Sequence, residues 1–193
     1  MKKIYVDLDS TLNDLETAWL TFCGTSSSMN VPEELTHWTW FQDTYGKKAM
    51  EFFTNINPYD IINVRDGAKE FIWECYQLDY DVTIISAHAV DREKEAKYKR
   101  QWLDENGFDE LKLIVTHDKY KYTKDGILVD DNPKNCLQHI WNNHQPAYLF
   151  NYEDMFPYAK SLPTETYGGK LRYVTKLSQI TRDLYERTEL SNH

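Results

Sequence analysis

Short apolar segments rich in β-branched residues alternate with amphipathic stretches along most of the chain. This pattern predicts strands over residues 3–7, 82–86, 111–115, 127–129 and 147–150. It also predicts helices over residues 15–22, 66–79 and 91–105, from Pro133 onward, and over 177–189. Strands that alternate with helices form a mainly parallel sheet that is covered on both faces. The sequence therefore predicts an α/β fold with three layers.

One stretch, from about Gly24 to Val64, interrupts this alternation. Serines and prolines punctuate it, and only Lys47 to Phe53 has the pattern of a short helix. We interpret the stretch as an insert rather than as part of the sheet. The predicted domains are a core of residues 1–14 and 65–193 and a small helical cap of residues 15–64.

The composition limits the partners and the compartment. The chain has 22 Lys and Arg residues against 31 Asp and Glu residues, so its formal net charge is −9. Such a surface repels polyanions, so we expect no stable nucleic-acid binding. No window approaches the roughly 20 apolar residues of a membrane span, and MKKIYVDLD reaches carboxylates too early for a secretory signal. The three cysteines lack metal-site spacing, which indicates reduced thiols and a cytoplasmic protein.

The carboxyl ends of the predicted strands carry most of the reactive side chains. The first strand runs into Asp7 and Asp9, the second ends at Ser86, and the fourth runs into Asp130 and Asp131. In a parallel sheet these ends meet at the edge where ligands bind. Four carboxylates at one edge repel one another unless a cation lies among them, and oxygen ligands favour Mg²⁺.

Asp7 and Asp9 are two residues apart, so strand geometry would place both carboxylates on one face. One of them can then act as a nucleophile while the other donates and accepts protons. Lys119 lies in the short link between the third and fourth strands. A cation, a hydroxyl group and a lysine together form a site that could hold a phosphoryl group.

Four motifs in a fixed order give the chain its resemblance to a known family. The segment Asp7-Leu-Asp9-Ser-Thr-Leu resembles the first motif of the haloacid dehalogenase (HAD) superfamily of phosphohydrolases. Ser86, Lys119 and the pair Asp130-Asp131 stand where the second, third and fourth motifs belong. A short helical insert and a pair such as Asp118-Lys119 are similar to features of the 5'(3')-deoxyribonucleotidases. The resemblance implies a Rossmann-like core with a small cap.

The same resemblance implies a function and a set of roles. The protein would be a Mg²⁺-dependent phosphomonoesterase that dephosphorylates (deoxy)nucleoside monophosphates through an aspartyl phosphate. Asp7 would attack phosphorus, while Asp9 would protonate the leaving oxygen and then activate water. The phosphoryl oxygens would be held by Ser86, Ala87 and Lys119.

For the metal, the resemblance implies Asp7, the backbone carbonyl of Asp9 and one member of the aspartate pair. Of that pair we expect Asp130 to bind the ion and Asp131 to orient the metal-bound waters, since groups behind the ligands matter nearly as much.

The insert is expected to supply the substrate pocket, for which the resemblance points to Trp40, Phe53 and Leu15. Leu15 replaces a phenylalanine of the family's pocket, and Val90 stands where a phosphate-side lysine is expected. An aromatic cluster in a short insert also fits a small hydrophobic core, and that alternative stays open.

The helix predicted over residues 91–105 is highly charged. Lys94, Lys97 and Lys99 alternate there with acidic residues. We interpret these lysines as a solvated face of the helix.

Three other functions compete with the nucleotidase. A phosphatase for another small metabolite would share the core, because the motifs identify the chemistry while the cap selects the leaving group. A nucleic-acid 3'-end phosphatase is disfavoured by the net charge of −9. A catalytically silent binding protein is disfavoured by the presence of both Asp7 and Asp9. The sequence is also compatible with a homodimer.

Overall fold

The protein is described from a computed structural model that covers residues 1–24, 43, 45–155, 159 and 167–191, with residues 190 and 191 described by their backbone alone. Across these residues, six strands form one sheet in the order β3-β2-β1-β4-β5-β6, and every neighbouring pair is parallel. The strands are β1 (Lys2–Val6), β2 (Tyr80–Ser86), β3 (Lys112–Val115), β4 (Gly126–Asp130), β5 (Ala147–Phe150) and β6 (Leu171–Val174). The predicted parallel sheet is confirmed.

The central strands are buried along nearly their whole length, as β2 and β5 illustrate. Residues on both faces of such a strand leave water, which explains the continuous apolar runs in the sequence. The edge strand β6 was not predicted from the sequence. It has only four residues, and Arg172 at its second position is exposed. Such a segment is too short, and has too few apolar residues in sequence, to indicate a strand.

Six helices are described alongside the sheet. They are α1 (Leu15–Cys23), α2 (Lys47–Thr54), α3 (Ala68–Gln77), α4 (Arg92–Glu105), α5 (Pro133–Asn143) and α6 (Leu177–Ser191). Helix α3 packs on β2 and α6, and α5 packs on β4 and β5. Two N-termini are capped by side chains, because Asp91 accepts from Glu93 N and Asn132 accepts from Lys134 N. The predicted α/β architecture is confirmed.

Helices α1 and α2 lie in the segment predicted as the cap, followed by a 3₁₀ helix at Pro58–Asp60. The indole nitrogen of Trp19 donates to Ala49 O at 2.8 Å. The Trp19 and Phe52 rings stack, with centroids 6.2 Å apart, and Phe53 meets each of them edge-on at 5.0 Å. An aromatic cluster therefore joins α1 to α2, while the domain boundaries at residues 14 and 65 stay a prediction.

The two ends of this segment meet beside β1. Asn13 and Val64 form an isolated antiparallel bridge, and Arg65 N donates to Leu12 O at 2.9 Å. The Arg65 guanidinium group is buried and donates to Asn13 O at 2.8 Å and to Glu16 Oε1 at 2.5 Å. A buried ion pair persists only with such additional hydrogen bonds. Arg65 thus ties the loop after β1 to the point where the chain returns to the sheet.

The order of the strands determines where a ligand can bind. From β1 the chain proceeds to β2 and β3 on one side and then to β4, β5 and β6 on the other. The crevice of such a sheet lies at the carboxyl ends of the strands, where the direction reverses. Here that point lies between β1 and β4.

His139 of α5 offers a test of how the fold responds to pH. The side chain is fully buried, and its Nδ1 lies 2.8 Å from Thr123 Oγ1. Burial lowers the pKa of His139 to about 4. The unfolded chain therefore binds a proton between about pH 6.5 and pH 4 that the native state does not, so stability falls as the pH is lowered through this range. For wild type we expect this group to contribute about 3 kcal/mol to the fall at most.

The measurement is urea unfolding of wild type and His139→Asn at several pH values from 7 to 4. The variant should lose part of the pH dependence, whatever its stability at pH 7. His144→Asn is the matched control, since His144 is exposed at the end of the same helix and asparagine tolerates its φ of 56°. Identical slopes for all three proteins would contradict the prediction.

Candidate active site

The structure brings the predicted catalytic residues to one edge of the sheet. Asp7 and Asp9 follow β1, Ser86 ends β2, and Asp130 and Asp131 come at the end of β4. The side chain of Lys119, from a 3₁₀ helix between β3 and β4, reaches the same place. The parallel order of β2, β1 and β4 accounts for this convergence of distant residues.

Three buried carboxylates form the centre of the site. One oxygen each of Asp7, Asp130 and Asp131 lies within 4.8 Å of the other two. The buried Lys119 ammonium group lies 2.8 Å from Asp7 Oδ1 and 2.7 Å from Asp130 Oδ2. One ammonium group does not balance three carboxylates, so the cluster has a deficit of positive charge.

The pKa values of these groups reflect that deficit. Burial raises the pKa of Asp7 to about 7; Lys119 opposes the shift, while Asp130 and Asp9 add to it. Burial and the charges of Asp7 and Asp130 raise the pKa of Asp131 well above its usual range. For Lys119, burial acts to lower the pKa, but the two neighbouring carboxylates outweigh it and the pKa is raised. A divalent cation would favour the ionised carboxylates.

The two aspartates after β4 differ in their hydrogen bonds. Asp130 Oδ1 accepts from Asn132 N at 2.9 Å and from Asn135 Nδ2 at 3.0 Å, and Oδ2 accepts from Lys119 Nζ. By contrast, Oδ2 of Asp131 is buried and has no hydrogen-bond partner among the residues that the structure describes. A buried oxygen without a partner is costly unless a ligand meets it. The site therefore fits a hard cation, and the open oxygen belongs to Asp131.

The loop after β1 is shaped by the side chain of Asn13. Its Oδ1 accepts from Ser10 N at 3.0 Å and Leu15 N at 3.2 Å, and its Nδ2 donates to Asp9 Oδ1 at 3.2 Å. Ser10 has a φ of 59°, a left-handed conformation that glycine adopts more readily. This turn carries the chain from Asp7 to α1 and leaves both aspartates at the site.

Asp9 occupies a different environment from Asp7. Its Oδ1 accepts from Tyr59 Oη at 2.8 Å, and its Oδ2 accepts from Lys99 Nζ at 2.7 Å and Ser86 Oγ at 3.1 Å. Burial acts to raise the pKa of Asp9, but the Lys99 charge and the hydrogen bonds outweigh it, so the pKa lies below its usual value. The pKa values of the two aspartates of the first motif are thus shifted in opposite directions.

The prediction that Lys99 belongs to a solvated face is wrong. Lys94 and Lys97 are exposed, but Lys99 is only 1% exposed, and its ammonium group lies in the site. The sequence held a signal for this placement. Lys99 falls at helical spacing from Trp102 and Leu103, both of which are buried on the inner face of α4.

Two of the three predicted phosphate-binding residues, Ser86 and Ala87, lie beside Lys99. Ser86 Oγ accepts from Lys99 Nζ at 2.6 Å, and the carbonyl oxygen of Ala87 accepts from the same group. Val90, where a lysine was expected, is half exposed, and its backbone N–H donates to Glu95 Oε1 at 2.7 Å. The second lysine of the site therefore comes from α4.

The predicted pocket residues have different positions. Leu15 is buried at the start of α1, and Phe53 is half-buried in the aromatic cluster with Trp19 and Phe52. Trp40 lies outside the described residues. The pocket roles of these residues stay predictions. Tyr59, which contacts Asp9, was not singled out from the sequence, because nothing in the local pattern indicates that a residue 50 positions away reaches the first motif.

Solved HAD hydrolases share this fold. A HAD family hydrolase from Deinococcus radiodurans R1, with bound phosphate and sodium, is 11% identical, covers 96% of each chain and has a TM-score of 0.62. A HAD phosphatase from Thermococcus onnurineus is 13% identical, covers 95% of this chain and 98% of its own, and has a TM-score of 0.57. The HAD hydrolase YfnB from Bacillus subtilis, bound to magnesium, is 11% identical, covers 95% and 98%, and has a TM-score of 0.56.

At these identities the likeness shows the fold alone, and the family rests on sequence. No curated protein sequence matches the chain. The family model described as 5' nucleotidase, deoxy (pyrimidine), cytosolic type C protein matches residues 1–153. That range is most of the chain and includes all four motifs. The chain therefore belongs to this 5'-nucleotidase family.

Proposed function

We propose that the protein is a Mg²⁺-dependent phosphomonoesterase that dephosphorylates (deoxy)nucleoside monophosphates through an aspartyl phosphate. The observation that carries the proposal is the buried cluster of Asp7, Asp130 and Asp131 around Lys119, with Asp9 held apart from it. The HAD fold and the match to a deoxynucleotidase family support the same chemistry. One relative by fold contains phosphate and another contains magnesium.

In the proposed site Asp7, the backbone carbonyl of Asp9 and Asp131 hold Mg²⁺. Asp130 instead keeps Lys119 in place, since its oxygens already accept hydrogen bonds from Lys119, Asn132 and Asn135. This assignment reverses the order that the sequence suggested for the aspartate pair. When bound, the ion supplies positive charge that balances the carboxylates and the phosphoryl oxygens.

The proposed reaction has two steps. In the first, Asp7 attacks phosphorus, the bond from phosphorus to the leaving oxygen breaks, and Asp9 gives its proton to that oxygen. In the second, Asp9 takes a proton from water, which attacks the phosphorus, and Asp7 is released with inorganic phosphate. Asp9 is ionised in the free protein, and the negative charge of a bound phosphoryl group would raise its pKa. Ser86 and Lys119 hold the phosphoryl oxygens.

The nucleotide is the finer part of the proposal. One aromatic residue of segment 15–64, Tyr59, contacts Asp9 at the strand ends, and the matched family acts as a nucleotidase by its description. That description also includes the word cytosolic, which supports the proposed cytoplasmic location. Among the residues covered by the structure, no helix combines the length and apolarity needed to cross a membrane. The competing function is that of a phosphatase for another small metabolite.

The proposal is tested by phosphate release from deoxynucleotides, ribonucleotides, sugar phosphates and a 3'-phosphorylated oligonucleotide. We expect the deoxynucleotides to react fastest. Asp7→Asn should remove nearly all turnover, because an amide does not form the acyl phosphate. The expected loss corresponds to roughly 4 kcal/mol or more in the barrier.

Asp109→Asn is the control for this substitution, since Asp109 is exposed and lies beyond α4. It should leave turnover unchanged, and circular dichroism should show that both variants are folded. Near-wild-type activity of a pure, folded Asp7→Asn protein would exclude the covalent mechanism.

The second prediction concerns the metal. EDTA should abolish phosphate release and Mg²⁺ should restore it. Asp131→Asn should raise the Mg²⁺ concentration for half-maximal activity more than Asp130→Asn, because the Asp131 oxygen is the one without a partner. Asp130→Asn should instead lower the melting temperature, since it weakens a buried contact with Lys119. If Asp130→Asn instead raises the Mg²⁺ requirement more than Asp131→Asn, the residue that binds the ion is Asp130, as the sequence suggested.

The third prediction concerns the base. If Trp40 and Phe53 stack on it, each alanine variant should raise KM for a nucleotide by about tenfold to a hundredfold, on the scale of 1–3 kcal/mol per stacked base. Hydrolysis of p-nitrophenyl phosphate, which has no base, should change much less. Phe22→Leu is the control for loosening the aromatic cluster, because Phe22 packs on Phe52 at 5.4 Å. Equal damage to both substrates would show that the aromatics only hold the insert together.

A further inference from the structure

Both oxygens of the Asp9 carboxylate accept hydrogen bonds from side chains that lie far from it in the sequence. Tyr59 donates to Oδ1 from the 3₁₀ helix Pro58–Asp60, and Lys99 donates to Oδ2 from α4. These two elements pack against each other, and the Lys99 ammonium group lies 5.8 Å from the centre of the Tyr59 ring. The two donors therefore form one unit around Asp9.

Tyr59 makes its contact through a single hydroxyl group. The residue is buried, and its Oη lies 2.8 Å from Asp9 Oδ1. Burial and the charge of Asp9 raise the pKa of Tyr59 well above its usual value, so the hydroxyl keeps its proton and remains a donor. Phenylalanine would fill the same space and remove only this hydrogen bond.

Lys99 has no donor left for a substrate. An ammonium group has three N–H donors. In Lys99 they meet three acceptors, which are Asp9 Oδ2, Ser86 Oγ and the carbonyl oxygen of Ala87. Lys99 therefore acts through these groups rather than on a phosphoryl oxygen. The Ser86 hydroxyl group in turn donates to Asp9 Oδ2 at 3.1 Å, so Ser86 and Lys99 together hold this carboxylate oxygen.

The burial of Lys99 does not follow from the needs of the fold. Its side chain is only 1% exposed, and removing an ammonium group from water is expensive even when it is paired. Replacing both members of such a buried ion pair by apolar residues is often neutral or even stabilising, so the fold itself does not require the pair. A requirement of the reaction explains the lysine better than a requirement of packing does.

We propose that Tyr59 and Lys99 are positioning residues that hold Asp9 in the orientation from which it protonates the leaving oxygen. The inference rests on the proposed function, because it assumes that Asp9 is the proton donor. In the first step the Asp7–phosphorus bond forms, the bond from phosphorus to the leaving oxygen breaks, and the proton passes from Asp9 to that oxygen. An alkoxide needs this proton, whereas p-nitrophenolate leaves without it.

A comparison of the two leaving groups therefore distinguishes a loss of Asp9 positioning from general damage to the active site. The ratio kcat/KM reports the steps up to transfer of the phosphoryl group to Asp7, so it senses the proton donor only when the leaving group needs one. The assay measures kcat/KM for p-nitrophenyl phosphate and for the alkyl phosphate of the substrate panel that wild type hydrolyses fastest. The variants are Tyr59→Phe, Lys99→Met and Lys99→Arg.

For Tyr59→Phe we expect kcat/KM to fall about tenfold with the alkyl phosphate, as for one hydrogen bond to a charged group, and less than about twofold with p-nitrophenyl phosphate. Lys99→Met should show the same selectivity with a larger loss, and Lys99→Arg should recover part of it. The melting temperature of Lys99→Met should fall, because the substitution leaves the Asp9 carboxylate without its charged partner. The matched controls are Tyr76→Phe and Lys97→Met, at exposed positions of α3 and α4, and both should behave as wild type.

The outcomes separate the two proposals. If wild type hydrolyses neither substrate, the proposed function is wrong and the inference falls with it. If wild type is active and Tyr59→Phe and Lys99→Met lose the same factor on both substrates, the two residues support the fold and do not position the acid. Wild-type kinetics in both variants would also overturn the inference while leaving the phosphatase intact.

Discussion

The structure depends on burying three carboxylates and one ammonium group at the same edge of a sheet. Asp7, Asp130 and Asp131 lie close enough to share one cation, and Lys119 supplies only part of the charge they need. Ionised groups of this kind are costly to remove from water unless they are paired and hydrogen-bonded. The apolar strands β1, β2 and β4 offset that cost, because their packing fixes the ends from which the charged side chains project. The fold and the site are therefore two aspects of one arrangement.

Within this arrangement two aspartates of the same loop are given different chemical properties. Asp7 faces other carboxylates and its pKa is raised to about 7, whereas Asp9 faces Lys99 and hydrogen-bond donors and its pKa is lowered. Environments that push neighbouring titratable groups apart are typical of sites that divide nucleophilic and proton-transfer roles. The separation comes from different elements, since Lys119 precedes β4 while Lys99 belongs to α4. Neither partner is close to the first motif in sequence.

Much of this could be predicted from local patterns. Buried parallel strands have continuous apolar runs, so five of the six strands and the edge where they end were identified, and four motifs fixed Asp7, Ser86 and Lys119 at that edge. Strand β6 was missed because four residues with an exposed Arg172 give no clear period. Lys99 was misassigned because a charged helix looks solvated unless its inner face is traced through Trp102. The different surroundings of Asp130 and Asp131 depend on Asn132, Asn135 and Lys119, and such hydrogen-bond partners are not encoded in spacing.

The bridge between Asn13 and Val64 has a consequence for how such a chain can change over evolution. Since these residues pair directly, the segment of residues 14–63 leaves the sheet and returns to it at the same point. Arg65 ties the two ends of this segment together. The entropy of closing a loop grows only with the logarithm of its length, and each doubling costs only about 0.6 kcal/mol. Residues could therefore be gained or lost inside this segment with little effect on the stability of the sheet. The charged edge of the sheet and this segment are free to diverge at different rates, so the junction at Asn13 and Val64 is a position where one such segment can replace another.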